Sequence, residues 1–143
     1  MSSMVAPSQQ YAALPYRRLA DGILEVMLVT SRGTGRWVIP KGWPAPGRLP
    51  QDSAALEAME EGGLLGRIGD RSIGFYHYEK TFGDGSAVLC KVQIFALEFE
   101  EQLSSWPEQY QRSTQWFALE EAADAVQERE LSAIIRSLAA LID

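Results

Sequence analysis

Three glutamates, Glu57, Glu60 and Glu61, stand at i, i+3 and i+4 in the stretch AALEAMEEGG. On a helix that spacing puts all three carboxylates on one face, where each like-charged pair costs about 0.2 to 0.5 kcal/mol. A divalent cation held by these hard oxygen donors would turn the repulsion into affinity. The plain alternative is a solvated acidic face, which glutamates often form on surface helices. With Glu57 set at zero and a turn of 100° per residue, Glu60 falls at about 300° and Glu61 at about 40°, whereas Ala55, Ala58 and Met59 fall at about 100° to 200°. The wheel therefore predicts that the small residues face a sheet and that the carboxylates point away from the core.

The elements that would position this helix follow from turn chemistry. Tyr11 to Arg18 and Ile23 to Arg32 read as strands around Ala20-Asp21-Gly22, the Asp-Gly pair being a hairpin signal. Pro15 suggests that the first of them lies at an edge or a bulge. Arg36 to Pro40 is a short third strand, followed by a loop from Lys41 to Leu49 rich in proline and glycine. Pro50 suits the first helical position and Gly62-Gly63 the helix end, while Leu49 is an unusual N-cap. Ser72 to Phe82 and Ser86 to Phe99 flank Gly83-Asp84-Gly85 as a second hairpin, and Gln115 to Leu119 forms a last strand. From Glu120 the pattern turns helical, with Leu131, Ile134, Ile135, Leu138, Leu141 and Ile142 on one stripe. Hairpin strands with helices between and after them predict an α/β chain with a mixed sheet covered by helices.

Bulk composition narrows the function classes. A chain of 143 residues, 46% hydrophobic and 22% charged, fits one domain with a substantial core. The net charge of −6 speaks against a broad nucleic-acid surface. Cys90 is the only cysteine and His77 the only histidine, which excludes an intramolecular disulfide framework and a histidine-metal cluster. Neither a signal-peptide pattern nor a run of membrane-spanning length is present, so a cytoplasmic location and no membrane partner are expected. Residues 1–10 are expected to be a flexible N-terminus and residues 11–143 a single domain. His77, among aromatic neighbours in a strand, is expected to be structural.

With its flanks, the acidic stretch resembles the Nudix box, G-x5-E-x7-R-E-U-x-E-E-x-G-U with U aliphatic. Gly42 opens the match, Glu57, Glu60 and Glu61 fall on acidic positions, and Gly63-Leu64 closes it. Arg48 stands at the first Glu position and Leu56 at the Arg, two side chains that family members normally pair. The flanking GRWVIPKGWP and WPEQYQRSTQWFALEEA resemble the diphosphoinositol polyphosphate phosphohydrolase branch. The resemblance implies a Nudix α/β/α sandwich, and Mg²⁺ or Mn²⁺ held by Glu57, Glu60 and Glu61 as catalytic residues. In that family the paired glutamates, here Glu60 and Glu61, carry the main metal-binding role, and one of them, or a glutamate from a later loop, serves as base toward water. Glu98, Glu100 and Glu101 are candidates for the later one, with an ordinary strand exit as the alternative.

An acidic protein that binds polyphosphates must gather its cations locally. Arg32, Arg36, Lys41, Lys80 and Arg112 are the candidates for substrate binding, at positions that match phosphate-contacting or loop positions of the resembled branch. The expected activity is Mg²⁺-dependent cleavage of a diphosphate linkage in an organic polyphosphate. A nucleoside diphosphate derivative, a diadenosine polyphosphate or an inositol pyrophosphate would satisfy it. Gln9 and Gln10 stand where inositol-pyrophosphate enzymes carry basic residues, which weakens the last of these. The competing expectation, motivated by Arg48 and Leu56, is a Nudix-fold binding or regulatory module with weakened turnover. The partner is a small molecule, and the chain a monomer or homodimer.

Overall fold

Strand β1 (Ser8–Arg18) forms the spine of the sheet, and the computed structural model describes residues 6–142 around it. The part of the expected flexible start that falls on residues 1–5 lies outside the described residues. Ser8 to Gln10 are already in β1, and Gln10 is buried, because the strand extends alongside Cys90 to Val92 of its neighbour. The first strand thus begins ahead of the expected Tyr11.

β1 turns at Asp21-Gly22 into β2 (Leu24–Thr30), with Gly22 at φ 86° and the Asp21 carboxylate accepting from Ile23 N at 3.0 Å. The short strands β3 (Trp37–Val38) and β4 (Lys41–Gly42) pair with β2 and β1 respectively. β4 lies where the sequence suggested only loop, since its two residues lie against Tyr11 and Ala12. Helix α1 (Pro50–Gly62) is followed directly by β5 (Leu64–Thr81), which starts eight residues before the expected Ser72. Three residues of β5, from Gly69 to Arg71, stand opposite Ala96 alone, and this bulge interrupted the alternation that would have marked the strand. β6 (Ala87–Gln102) returns beside β5, and β7 (Thr114–Ala118) pairs with β2.

The sheet order is β3-β2-β1-β6-β5, with β1 parallel to β6 and the other pairings antiparallel. Pro15 is therefore in a central strand, not at an edge. It falls where β1 passes from pairing with β4 at Tyr11 and Ala12 to pairing with β2 at Tyr16, so its missing N–H lies between two ladders.

Strict alternation along these strands makes two cores. Ala12, Leu14, Val26, Leu28, Val92 and Ile94 face one side of the sheet and pack with Ala122, Leu131, Ile135 and Leu138. Ala13, Met27, Phe95 and Leu97 face the other and pack with Ala54 and Ala58 of α1. The C-terminal stripe is realised as three short helices, α2 (Leu119–Ala125), α3 (Arg129–Arg136) and α4 (Leu138–Leu141). Helices on both faces of a mixed sheet make the expected α/β/α sandwich. No helix among the described residues is long and apolar enough to cross a membrane.

Candidate active site

α1 carries the carboxylates because of how its ends are fixed. Pro50 occupies the start, where a missing N–H leaves nothing unsatisfied, and Leu49 gives no side-chain cap. Ser53 is buried and its hydroxyl accepts from Ala45 N at 3.0 Å, tying the preceding loop to the first turn. At the other end Gly63 adopts φ 68° and donates to Ala58 O and Met59 O, and a Cβ there would collide with the Trp106 ring. The buried stripe is Ser53, Ala54, Ala58, Glu61 and Gly62. The helical wheel had placed Glu61 among the outward residues. The structure rotates the buried face toward it, because Ala54 and Ala58 are small enough to let the helix lie close on β1 and β5.

Glu57 and Glu61 open into a cleft of about 520 Å³ bounded by β4, α1, the end of β5 and the loops after β2 and β6. Gly42 makes the approach possible, since a Cβ at this position would run into the Glu57 carboxylate. Burial pushes Glu61 up to about 8, against the pull of Arg112 and Lys41 and with the push of Glu57 and Glu108. Glu57 is also raised, by burial and then by Glu60, while a hydrogen bond with Glu61 works the other way. Glu60, the third expected ligand, does not line the cleft. Its charge raises the pKa of Glu57, and its carbonyl accepts from Glu108 N at 3.0 Å.

Arg112 is the cation most firmly built in. Its side chain is 9% exposed, with Nη2 at 2.9 Å from Glu108 Oε1 and 3.5 Å from Glu61 Oε2, and Nη1 donating to Thr30 O at 3.0 Å. Lys41 sits with Nζ 4.8 Å from the Tyr78 ring centre, and burial lowers its pKa against the opposing fields of Glu61 and Glu128. Arg32 reaches Gln111 Oε1 at 3.1 Å and Glu108 at 3.8 Å, and Arg36 pairs with Glu128 Oε2 at 3.1 Å. Lys80 lines the β5 side of the cleft. All five expected cations thus come to one cleft.

Several cleft residues escaped the sequence reading. Glu108 lies four residues before Arg112 and has no periodic pattern to mark it. Only its i, i+4 spacing to that arginine hinted at a pair. Tyr78 donates to Gln10 Oε1 at 2.8 Å on the cleft floor, across 68 residues of sequence. Trp43 lines the cleft and remains 43% exposed.

The expected later bases are elsewhere. None of Glu98, Glu100 and Glu101 lines the cleft; Glu98 lines a separate groove with Tyr16, Arg67 and Arg71, and the other two are exposed. They lie on the part of β6 that pairs with the start of β5, at Leu65 to Arg67, whereas the cleft is lined by the other end of β5, from Tyr78 to Thr81. Arg48 is exposed, with no ion pair among the described residues, and Leu56 is half-buried. His77 also lies outside the cleft: its Nδ1 is 3.2 Å from Glu130 Oε1, which also accepts from His77 N at 2.8 Å and so ties α3 to β5.

No group of three or more His, Cys, Asp or Glu side chains among the described residues converges as a ready metal cage. The pair that does meet, Glu57 and Glu61, is all hard oxygen, and burial raises the pKa of both, a desolvation cost that a bound cation would offset. That suits Mg²⁺, which keeps several waters and takes one or two carboxylates together with substrate phosphate.

Residues 16–138 match the NUDIX domain family. Nudix hydrolase 16, mitochondrial, of Arabidopsis thaliana is 31% identical over 106 residues, which are 72% of this chain and 58% of that protein. Diphosphoinositol polyphosphate phosphohydrolase 3-alpha of Mus musculus is 30% identical over 106 residues, 72% of this chain and 60% of its own length. The chain therefore spans less than two thirds of these relatives. The crystal structure of C. elegans Ap4A hydrolase superposes with a TM-score of 0.66 at 22% identity, covering 96% of this chain and 100% of that one, a likeness of fold.

Proposed function

This chain belongs to the NUDIX family, and from that premise we propose that it is a Mg²⁺- or Mn²⁺-dependent pyrophosphohydrolase that cleaves a diphosphate linkage in an organic polyphosphate. The observation that carries this reading is the meeting of buried Glu61 and half-buried Glu57 with the cations Arg32, Arg36, Lys41, Lys80 and Arg112 in one cleft. Glu57 and Glu61 would hold the cation, with Glu60 adding its charge from just outside. When bound, that cation neutralises phosphoryl oxygens and polarises the attacking water. Burial raises the pKa of both carboxyl groups, so whichever of the two is not committed to the cation is a better proton acceptor than a free carboxylate. Arg112, anchored by Glu108 and Thr30 O, keeps its guanidinium beside Glu61 and offers a fixed donor to a phosphoryl oxygen. Arg32, Arg36 and Lys80 then hold the rest of the polyphosphate chain.

The charge balance of the cleft favours a lightly charged substrate. The five cations face Glu57, Glu61, Glu79 and Glu108, which leaves the lining close to neutral. Buried Gln10 on the floor adds no charge. A nucleoside diphosphate derivative or a diadenosine polyphosphate fits this better than a densely phosphorylated inositol, and exposed Trp43 offers a flat apolar surface for a base. A reducing, cytoplasmic setting belongs to the same reading, carried by the lone buried Cys90.

The test is hydrolysis of a panel of nucleotide sugars, dinucleoside polyphosphates and inositol pyrophosphates with Mg²⁺, with Mn²⁺ and with chelator. Metal-dependent release of a phosphorylated product from at least one member is expected, and none from any member would sink the proposal. Arg48, exposed and with no ion pair among the described residues, favours a second reading, a binding or regulatory module that takes such a ligand without turning it over. Saturable binding of a panel member with no hydrolysis would select it.

A further inference from the structure

Glu128 stands just ahead of α3, 92 residues from Arg36, and its carboxylate is 11% exposed. Its Oε2 accepts from Arg36 Nη1 at 3.1 Å, while its Oε1 is buried with no hydrogen-bond partner. A buried carboxylate oxygen left without a donor weakens the fold, and an apolar residue of similar size would fill the same place at less expense. Stability alone therefore does not explain a glutamate here. Nor does helix capping, since Glu128 makes no side-chain cap hydrogen bond to α3. Among the described residues its carboxylate hydrogen-bonds to a guanidinium that lines the active cleft.

We propose that Glu128 is a positioning residue that holds the Arg36 guanidinium at the cleft wall in a fixed orientation for a phosphate group of the substrate. The inference rests on the pyrophosphohydrolase reading only for the identity of that group. Arg36 sits on the short strand-to-strand connection after β2, just before Trp37, and its side chain is one-third exposed. Without an anchor, a long arginine there samples many rotamers, and each must be frozen when a phosphate binds. The corner between α2 and α3 supplies the anchor from the opposite side of the cleft wall. Glu128 also lies close enough to Lys41 to favour its charged form, so one carboxylate steadies two cations of the lining. Among the described residues the other cleft arginines are held differently, Arg112 by Glu108 and Thr30 O and Arg32 by Gln111 and Glu108.

The experiment is calorimetric titration of inorganic pyrophosphate, with Mg²⁺ present, into the wild type, Glu128→Gln, Arg36→Ala and the double variant. Glu128→Gln should weaken binding by about tenfold. Arg36→Ala should weaken it at least as much, and the double variant should be no weaker than Arg36→Ala alone. On a substrate that is turned over, Glu128→Gln should raise KM with kcat within about twofold, a split that loss of packing alone would not give. Unchanged or tighter pyrophosphate binding in Glu128→Gln would overturn the inference, because removing a negative charge without positioning should help a polyanion. Independent losses in the double variant would overturn it too. If Glu128→Gln does not fold, Glu128→Asp carries the test, its carboxylate being one methylene short of Arg36, and wild-type binding there would be decisive against. Pyrophosphate binding is read without turnover, so a chain that hydrolyses nothing would end the proposed function while leaving the coupling of Arg36 and Glu128 intact.

Discussion

Two acidic groups of nearly the same composition lie on this chain, Glu57, Glu60 and Glu61 on α1 and Glu98, Glu100 and Glu101 at the far end of β6. The first is pressed between a helix and a sheet, with Glu61 only 5% exposed and Arg112 and Lys41 converging on it. The second is spread along a strand exit, where Glu100 and Glu101 are exposed. The lesson is that carboxylates become chemical groups through burial and opposed cations, not through number. Desolvation penalises the charged form, and that penalty is what a metal ion or a proton can relieve.

Neutral substitutions test this contrast most sharply. Glu61→Gln should lower turnover by about 10³-fold, or roughly 4 kcal/mol of transition-state stabilisation, whereas Glu101→Gln should stay within about twofold. Steady-state kinetics on the best panel substrate decides it, and similar losses in both would dissolve the comparison. Next in size is Arg112, whose replacement by Met strands Glu61 and Glu108. Removing one partner of a buried pair is expected to cost about 3 kcal/mol of stability, read as a lower denaturant midpoint. A midpoint equal to wild type would mean that the pair is already solvated.

The pH dependence of stability sharpens the comparison further. Glu61 has a folded pKa of about 8 against an unfolded value of 4.5, so the folded state holds its proton more tightly. That contribution is fully present below the unfolded value and is lost as pH rises through about 8. Metal-free protein should therefore become less stable between those limits, and both Glu61→Gln and added Mg²⁺ should flatten the slope. A denaturation series over pH that shows the same slope in wild type and Glu61→Gln would place the titration elsewhere.

The smallest effect belongs to the exchanged box positions. Exposed Arg48 and half-buried Leu56 should couple weakly, so that Arg48→Glu with Leu56→Arg exceeds the sum of the single changes by about 0.5 kcal/mol, the low end for contacting residues. Strict additivity in denaturant melts would show that the two positions do not touch.

Local chemistry made much of this legible in advance. Asp21-Gly22 and Gly83-Asp84-Gly85 mark both hairpins because a tight turn needs residues that accept its backbone angles, and Pro50 and Gly63 bracket α1 for the same reason. The acidic turn could be named because residue type and spacing persist whatever the fold, and the five cations because their positions match those of the resembled Nudix branch. What the chain could not reveal by itself was direction and distance. Whether Glu61 points outward depends on how closely Ala54 and Ala58 let α1 approach the sheet. Pro15 is tolerated in a central strand only because two separate partners meet on one side of it. Glu108, Gln10 and Tyr78 reach the cleft, and Glu128 reaches its Arg36, from four segments scattered along the sequence, and no periodicity links them. Their roles come from burial and electrostatic fields, which depend on three-dimensional separation, and only the tertiary structure sets those separations.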